Sequence, residues 1–106
     1  FRQIHGRIDS LGYRIGNVAY SSDISDLPEE SAAAVENLDC WIIDALRRDP
    51  HPTHLHLDKT LELIERFKPK QAVLTNLHID MDYQCLCDEL PPHIRPAYDG
   101  MEILID

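Results

Sequence analysis

Basic residues are scarce in this sequence: ten Lys and Arg stand against nineteen Asp and Glu, a formal charge of -9 over 106 residues. The acidic excess is spread along the chain rather than gathered in a tail. That balance argues against a nucleic-acid-binding module, because phosphate contacts need clustered Lys and Arg to displace condensed counterions. An acidic protein that handles phosphate needs local cations or metal ions instead. Cysteine is also sparse. Three cysteines, an odd number, do not build a disulfide framework and point to a reducing, cytoplasmic compartment. Long hydrophobic runs are missing, so no membrane span is expected, and no signal peptide, internal repeat or low-complexity linker is visible. What remains, 43% hydrophobic and 27% charged, is the composition of one globular unit. The sequence opens at Phe1 without a Met, in what reads as mid-strand, and this raises the expectation of a fragment.

The first third reads as extended chain broken by glycines: Phe1 to His5, Leu11 to Ile15, the Gly16-Asn17 turn signal, and Val18 to Tyr20, with a hairpin as the economical arrangement. Pro28 opens a helix to about Glu36, with Glu29 and Glu30 at the positive end of its dipole. Cys40 to Ala45 is a short apolar run, as expected for a strand buried on both faces. Two prolines and three histidines make Arg47 to His56 a loop. Leu57, Leu61, Ile64 and Phe67 fall at helical spacing until Pro69 stops the helix. Gln71 to Thr75 reads as a strand, Asp82 to Glu89 as a short helix, and Met101 to Ile105 as a last strand. Strand alternating with helix in the second half predicts βαβ units in a layered α/β domain.

In such a layer, ligands gather at the carboxyl ends of strands. The polar residues there are His5, Asp23, Asp44, the loop from His51 to His56, and the stretch from Asn76 to Asp82. Imidazole and carboxylate are ligands that zinc, manganese or iron accept, and no cysteine pair is spaced for a thiolate site. Each residue also has a plainer role. His5 alone reads as a hydrogen-bonded strand-end histidine, Asp23 as a cap for the following turn, and His51, His54 and His56 as a solvated loop. The residues by themselves lead to an α/β domain with a candidate His/Asp metal site, and no further.

Five segments in order resemble a known family: Gln3-Ile4-His5-Gly6 followed by Leu11-Gly12-Tyr13-Arg14; Ala19-Tyr20-Ser21-Ser22-Asp23 followed by Leu27-Pro28; His51-Pro52-Thr53-His54; Val73-Leu74-Thr75-Asn76-Leu77-His78; and Pro96-Ala97-Tyr98-Asp99-Gly100-Met101. Together they look like the C-terminal half of a metallo-β-lactamase-fold hydrolase, in the branch of phosphoribosyl 1,2-cyclic phosphate phosphodiesterases and the tRNA-processing nuclease RNase Z. The resemblance implies an αββα fold of which residues 1–106 form half. It implies two divalent metal ions, zinc or manganese, with His5 as a ligand and Asp23 as the carboxylate bridging both ions. His54 would touch the substrate phosphate and protonate the leaving oxygen, work that suits an imidazole. The family's last ligand is a histidine directly after Leu-Thr. Here Asn76 holds that place and His78 follows two residues on. Residues two apart in extended chain share a side, so His78 is the preferred ligand and Asn76 is kept beside it. The family's His-x-His-x-Asp-His motif, source of most ligands, is absent from these residues and is expected upstream of Phe1.

The function so implied is a dinuclear phosphodiesterase acting on a small cyclic or nucleotide-like phosphodiester through a metal-bound hydroxide. Asp44 is a candidate to orient a ligand imidazole. This half alone is expected to be inactive, and its partner is the missing N-terminal half, with a homodimer also open. Alternatives are an RNase Z-like RNA-processing nuclease, disfavoured by the acidic balance, and a non-catalytic nucleotide- or partner-binding member whose metal site has degraded at Asn76. Thioester or lactam hydrolysis is also compatible with such a fold.

Overall fold

The computed structural model of the chain describes residues 1–79 and 81–105. Two sheets are present among them. Strands β1 (Arg2–His5) and β2 (Ile8–Leu11) form an antiparallel pair that places His5 opposite Ile8. The second sheet runs, in spatial order, β3 (Tyr13–Ile15), β4 (Val18–Ser21), β5 (Cys40–Asp44), β6 (Gln71–Thr75) and β7 (Ile94–Pro96). The Gly16-Asn17 turn closes the antiparallel β3–β4 hairpin, with Gly16 at φ 59°. From β4 to β7 the strands are parallel. Helix α1 (Leu57–Phe67) connects β5 to β6, and helix α2 (Tyr83–Glu89) connects β6 to β7, so the mixed α/β class and the βαβ order are as the sequence predicts.

Parallel pairing fixes where the chemistry can lie. Ser21 pairs with Ile43, and Asp44 with Thr75, so the segments that begin at Ser22, Ala45 and Asn76 all leave the sheet at one edge. The core beneath is built on Trp41, Ile43, Leu74, Ile24, Val35, Leu55 and Leu86, each at most 1% exposed. Trp41 packs edge-on against Phe67 of α1, with ring centroids 5.8 Å apart, and its Nε1 donates to Ser21 Oγ at 2.9 Å. That hydrogen bond satisfies the indole's only donor inside the core.

Three sequence expectations need correction. Leu11 to Ile15 is not one strand: Gly12 divides β2 from β3, and the two belong to different sheets. A Cβ at Gly12 would lie 2.4 Å from Gln3 Oε1 and from the Phe1 ring, so only glycine allows the chain to pass there. The segment after Pro28 is helical, but as a 3-10 helix, Glu29–Val35. Ser31 N–H bonds Pro28 O at 2.9 Å, the three-residue spacing of the tighter form, and Ser31 Oγ ties the segment to Arg2 O at 2.6 Å. Residues 101–105 form no strand, and the last strand is Ile94–Pro96. It lies at the sheet edge, where a proline leaves no ladder donor missing.

Candidate metal centre

Asp23 lies in the loop leaving β4, and that loop is held on every side. Ser22 O accepts from Gln3 Nε2 (3.1 Å), Asp23 O from Ser10 Oγ (2.7 Å), and Ile24 O from Leu55 N (2.7 Å). Ile24 N donates to Asp44 Oδ2 at 3.3 Å, and Asn76 Nδ2 to Ser22 Oγ at 2.7 Å. These contacts fix Asp23 at φ 54°, in the left-handed region. Asn76 also takes a left-handed conformation, φ 58°, where β6 ends. Non-glycine residues adopt this conformation at a cost, and the cost is sustained only where surrounding contacts over-determine the backbone.

The backbone of Thr53 connects the histidines. Its carbonyl faces His5 Nδ1 at 2.6 Å, and its N–H donates to His51 Nδ1 at 3.1 Å. A carbonyl only accepts, so Nδ1 of His5 carries the proton and Nε2 presents a lone pair. His54 Nδ1 meets Asp44 Oδ2 at 2.6 Å. With the carboxylate ionised, the same reasoning makes His54 Nδ1 the donor to Asp44. The His5 and His54 rings lie edge-on with centroids 5.0 Å apart, and His51 approaches His54 at 5.4 Å. As a result His5, Asp23 and His54 each offer one ligand atom, and these atoms lie within 4.8 Å of one another.

Asp44, at the end of β5, has no solvent exposure. Burial pushes its carboxyl above the ordinary range, while the hydrogen bond from His54 pulls it down and Ile24 N–H and the Asn76 amide add to that pull. Its Oδ1 has no hydrogen-bond partner among the described residues. Burial also lowers the pKa of His51, helped by Arg47 and His54, and this favours the neutral imidazole whose Nδ1 accepts from Thr53 N–H. Two imidazoles, each with its Nδ1 hydrogen-bonded, and an exposed carboxylate form a donor set that fits a divalent cation.

The structure therefore brings together three of the five residues singled out from the sequence. Asn76 is a neighbour: its amide nitrogen donates to Ser22 Oγ beside Asp23. The extended geometry invoked for His78 is not observed, because β6 stops at Thr75 and Asn76 turns the chain. His78 is exposed in the following loop, its N–H on Leu46 O at 2.7 Å, outside the three-residue cluster. His51 and Thr53 lie in the histidine-rich loop that the sequence marks, whereas Gln3 and Ser10 were not predicted to support the site and no local sequence signal indicates them.

The profile described as "Beta-lactamase superfamily domain" matches residues 2–79. A crystal structure titled as a new diphosphatase from the PhnP family superposes with a TM-score of 0.95 at 35% identity, over 99% of this chain and 42% of that one. The short form of human tRNase Z (ELAC1) superposes with a TM-score of 0.75 at 20% identity, over all of this chain and 40% of that one, a likeness of fold alone. A protein of Porphyromonas gingivalis (strain ATCC BAA-308 / W83) named octanoyltransferase is 34% identical over 108 residues, 99% of this chain and 22% of that protein. The chain thus spans less than half of each of these relatives.

Proposed function

Because the chain belongs to the β-lactamase superfamily, we propose that it is the C-terminal half of a dinuclear metal-dependent phosphodiesterase acting on a small cyclic or nucleotide-like phosphodiester. The observation that carries this reading is the convergence of His5, Asp23 and His54 in a chain superposing at a TM-score of 0.95 on a diphosphatase. Residues upstream would supply the remaining ligands. Divalent ions, zinc or manganese, would serve as Lewis acids toward the phosphate and lower the pKa of water.

The chain's own residues divide the work by their hydrogen bonds. His5, kept in one tautomer by a neutral carbonyl, offers Nε2 as a ligand. Asp23, set by its braced loop, would offer its carboxylate as a metal ligand beside His5. His54 differs because an anion, Asp44, stands at its Nδ1. That carboxylate compensates the charge when Nε2 carries a proton, so His54 is suited to contact the phosphate and protonate the leaving oxygen. Asn76 and His78 remain the candidates for the last ligand place. The acidic balance of the chain favours a small substrate over RNA.

Turnover of bis(p-nitrophenyl) phosphate by the full-length protein tests the division of roles. His54→Ala should keep its metal and lose about 10² to 10⁴-fold in kcat. Undiminished turnover removes His54 from the chemistry, and loss of metal makes it a ligand.

A further inference from the structure

The segments that leave the parallel strands line up along one edge of the sheet. Asp23 follows β4, His54 lies in the connection after β5, and Asn76 follows β6. A fourth segment, after β7, completes the row, and the chemistry proposed above makes no use of it. Between that segment and the end of β6 lies a cavity of about 470 Å³ whose walls include Asn76, Leu77, Tyr98, Asp99 and Met101. It has the size of a small-molecule site. In the sheet order β6 stands two ladder spacings from β4, about 10 Å. The cavity therefore lies beside the His5, Asp23 and His54 cluster rather than within it, with Asn76 between the two.

The outer wall is held in place. Ala97 N–H bonds Leu74 O at 2.8 Å, and Met101 N–H bonds Tyr98 O at 3.0 Å. Gly100, at φ 82°, takes the third place of the turn so closed, where a positive φ favours glycine. The Tyr98 ring stands edge-on to Tyr83 of α2, with centroids 5.9 Å apart, and is still 54% exposed, so an oriented aromatic surface is open to a ligand. No lysine, arginine or histidine lines the cavity. Its one charged side chain is Asp99, whose carboxylate has no hydrogen bond or ion pair among the described residues. Such walls repel a phosphate and suit a flat, neutral group whose edge donates hydrogen bonds.

We propose that this cavity is a nucleobase subsite, with Tyr98 stacking on the base and Asp99 accepting hydrogen bonds from its edge. The proposal rests on the phosphodiesterase reading above and narrows its substrate to a purine nucleotide, guanine before all. Every base has a π-face for the tyrosine, so stacking supplies affinity without choosing among bases. The carboxylate chooses: it only accepts, and its two oxygens match the adjacent N1–H and amino group of guanine. Hypoxanthine keeps the first of these donors and lacks the second. Base and phosphodiester would then rest on neighbouring segments of one sheet edge, the base in the cation-free cavity and the phosphate at the metal ions.

The test uses the full-length protein and three probes: guanosine and inosine 2′,3′-cyclic phosphates, which differ by the amino group, and glycerol 1,2-cyclic phosphate, which has no base. Binding is titrated with their slowly hydrolysed phosphorothioate forms, and hydrolysis is followed with the parent compounds. The wild type should bind the guanosine probe about ten-fold tighter than the glycerol probe or better, with inosine between them. Tyr98→Ala should remove the advantage of both nucleosides and leave the glycerol probe unaffected, which also shows that the variant folds, and Tyr98→Phe should keep the advantage. Asp99→Asn should erase the difference between guanosine and inosine. Equal binding of the guanosine and glycerol probes by the wild type, or an equal loss for all three in Tyr98→Ala, overturns the proposal, and equal binding of guanosine and inosine overturns the role of Asp99. A Tyr98-dependent preference without hydrolysis of any probe would count against the phosphodiesterase reading and leave the subsite standing. Hydrolysis of all three at equal affinity would do the reverse.

Discussion

Asp44 is the residue on which the centre turns. One oxygen serves both His54 Nδ1 and Ile24 N–H, so one side chain orients the imidazole and anchors the loop that presents Asp23. Its backbone carbonyl is held as well, by Thr60 Oγ1 at 2.6 Å. Truncation to alanine would leave the Ile24 amide without its acceptor and free the His54 ring. Asp44→Ala is therefore expected to lower stability by about 1–3 kcal/mol, read by chemical denaturation. Asp44→Asn keeps the volume and one acceptor oxygen, and should lose less. His5, Asp23 and His54 were legible in the sequence as polar residues where strands end and as matches to family motifs. The supporting hydrogen bonds were not. Nothing local distinguishes Gln3, whose amide reaches Ser22 nineteen positions away, from any other strand glutamine. Nor does a sequence show that Asp23 and Asn76 occupy left-handed backbone.

At the scale of elements, the sequence was most readable where one force dominates. The spacing of Leu57, Leu61, Ile64 and Phe67 gives α1 its observed bounds, and Lys68 N–H closes the helix on Ile64 O at 2.8 Å just before Pro69. Lys68 closes it with φ 48° and ψ 55°, a conformation that a side chain resists and glycine does not. Its contact with Glu65, 3.9 Å apart and largely exposed, contributes little. Lys68→Gly should therefore raise stability by about 0.5–1 kcal/mol, seen as a higher melting temperature. A lower melting temperature would mean that the terminal turn depends on the lysine. Reading was poorer where two forces compete. Ile8–Leu11 exposes most of its residues, so no alternation marks it as a strand, and backbone pairing with β1 decides. At the other end, residues 101–105 look apolar enough for a strand, yet Leu104 is 88% exposed, and the short edge strand Ile94–Pro96 takes the place beside β6.

For the whole molecule, the charge of -9 and the polar edge of the parallel sheet belong together. The strands bring imidazoles and carboxylates to one edge, and the cations are mostly committed to ion pairs. None of the described helices is long and apolar enough to cross a membrane. Ile8, Leu11, Tyr13 and Ile15 are each more than half exposed on β2 and β3, an apolar surface in keeping with a chain that spans 42% of the diphosphatase it superposes on. On the proposed function, His5 and Asp23 hold metal in the full-length protein. Elemental analysis of purified wild type, His5→Ala and Asp23→Ala measures it directly. Two divalent ions per wild-type chain are expected, with at least one lost in each variant while the fold is retained. Unchanged metal content in both variants, or a wild type that takes up no divalent ion, would contradict it.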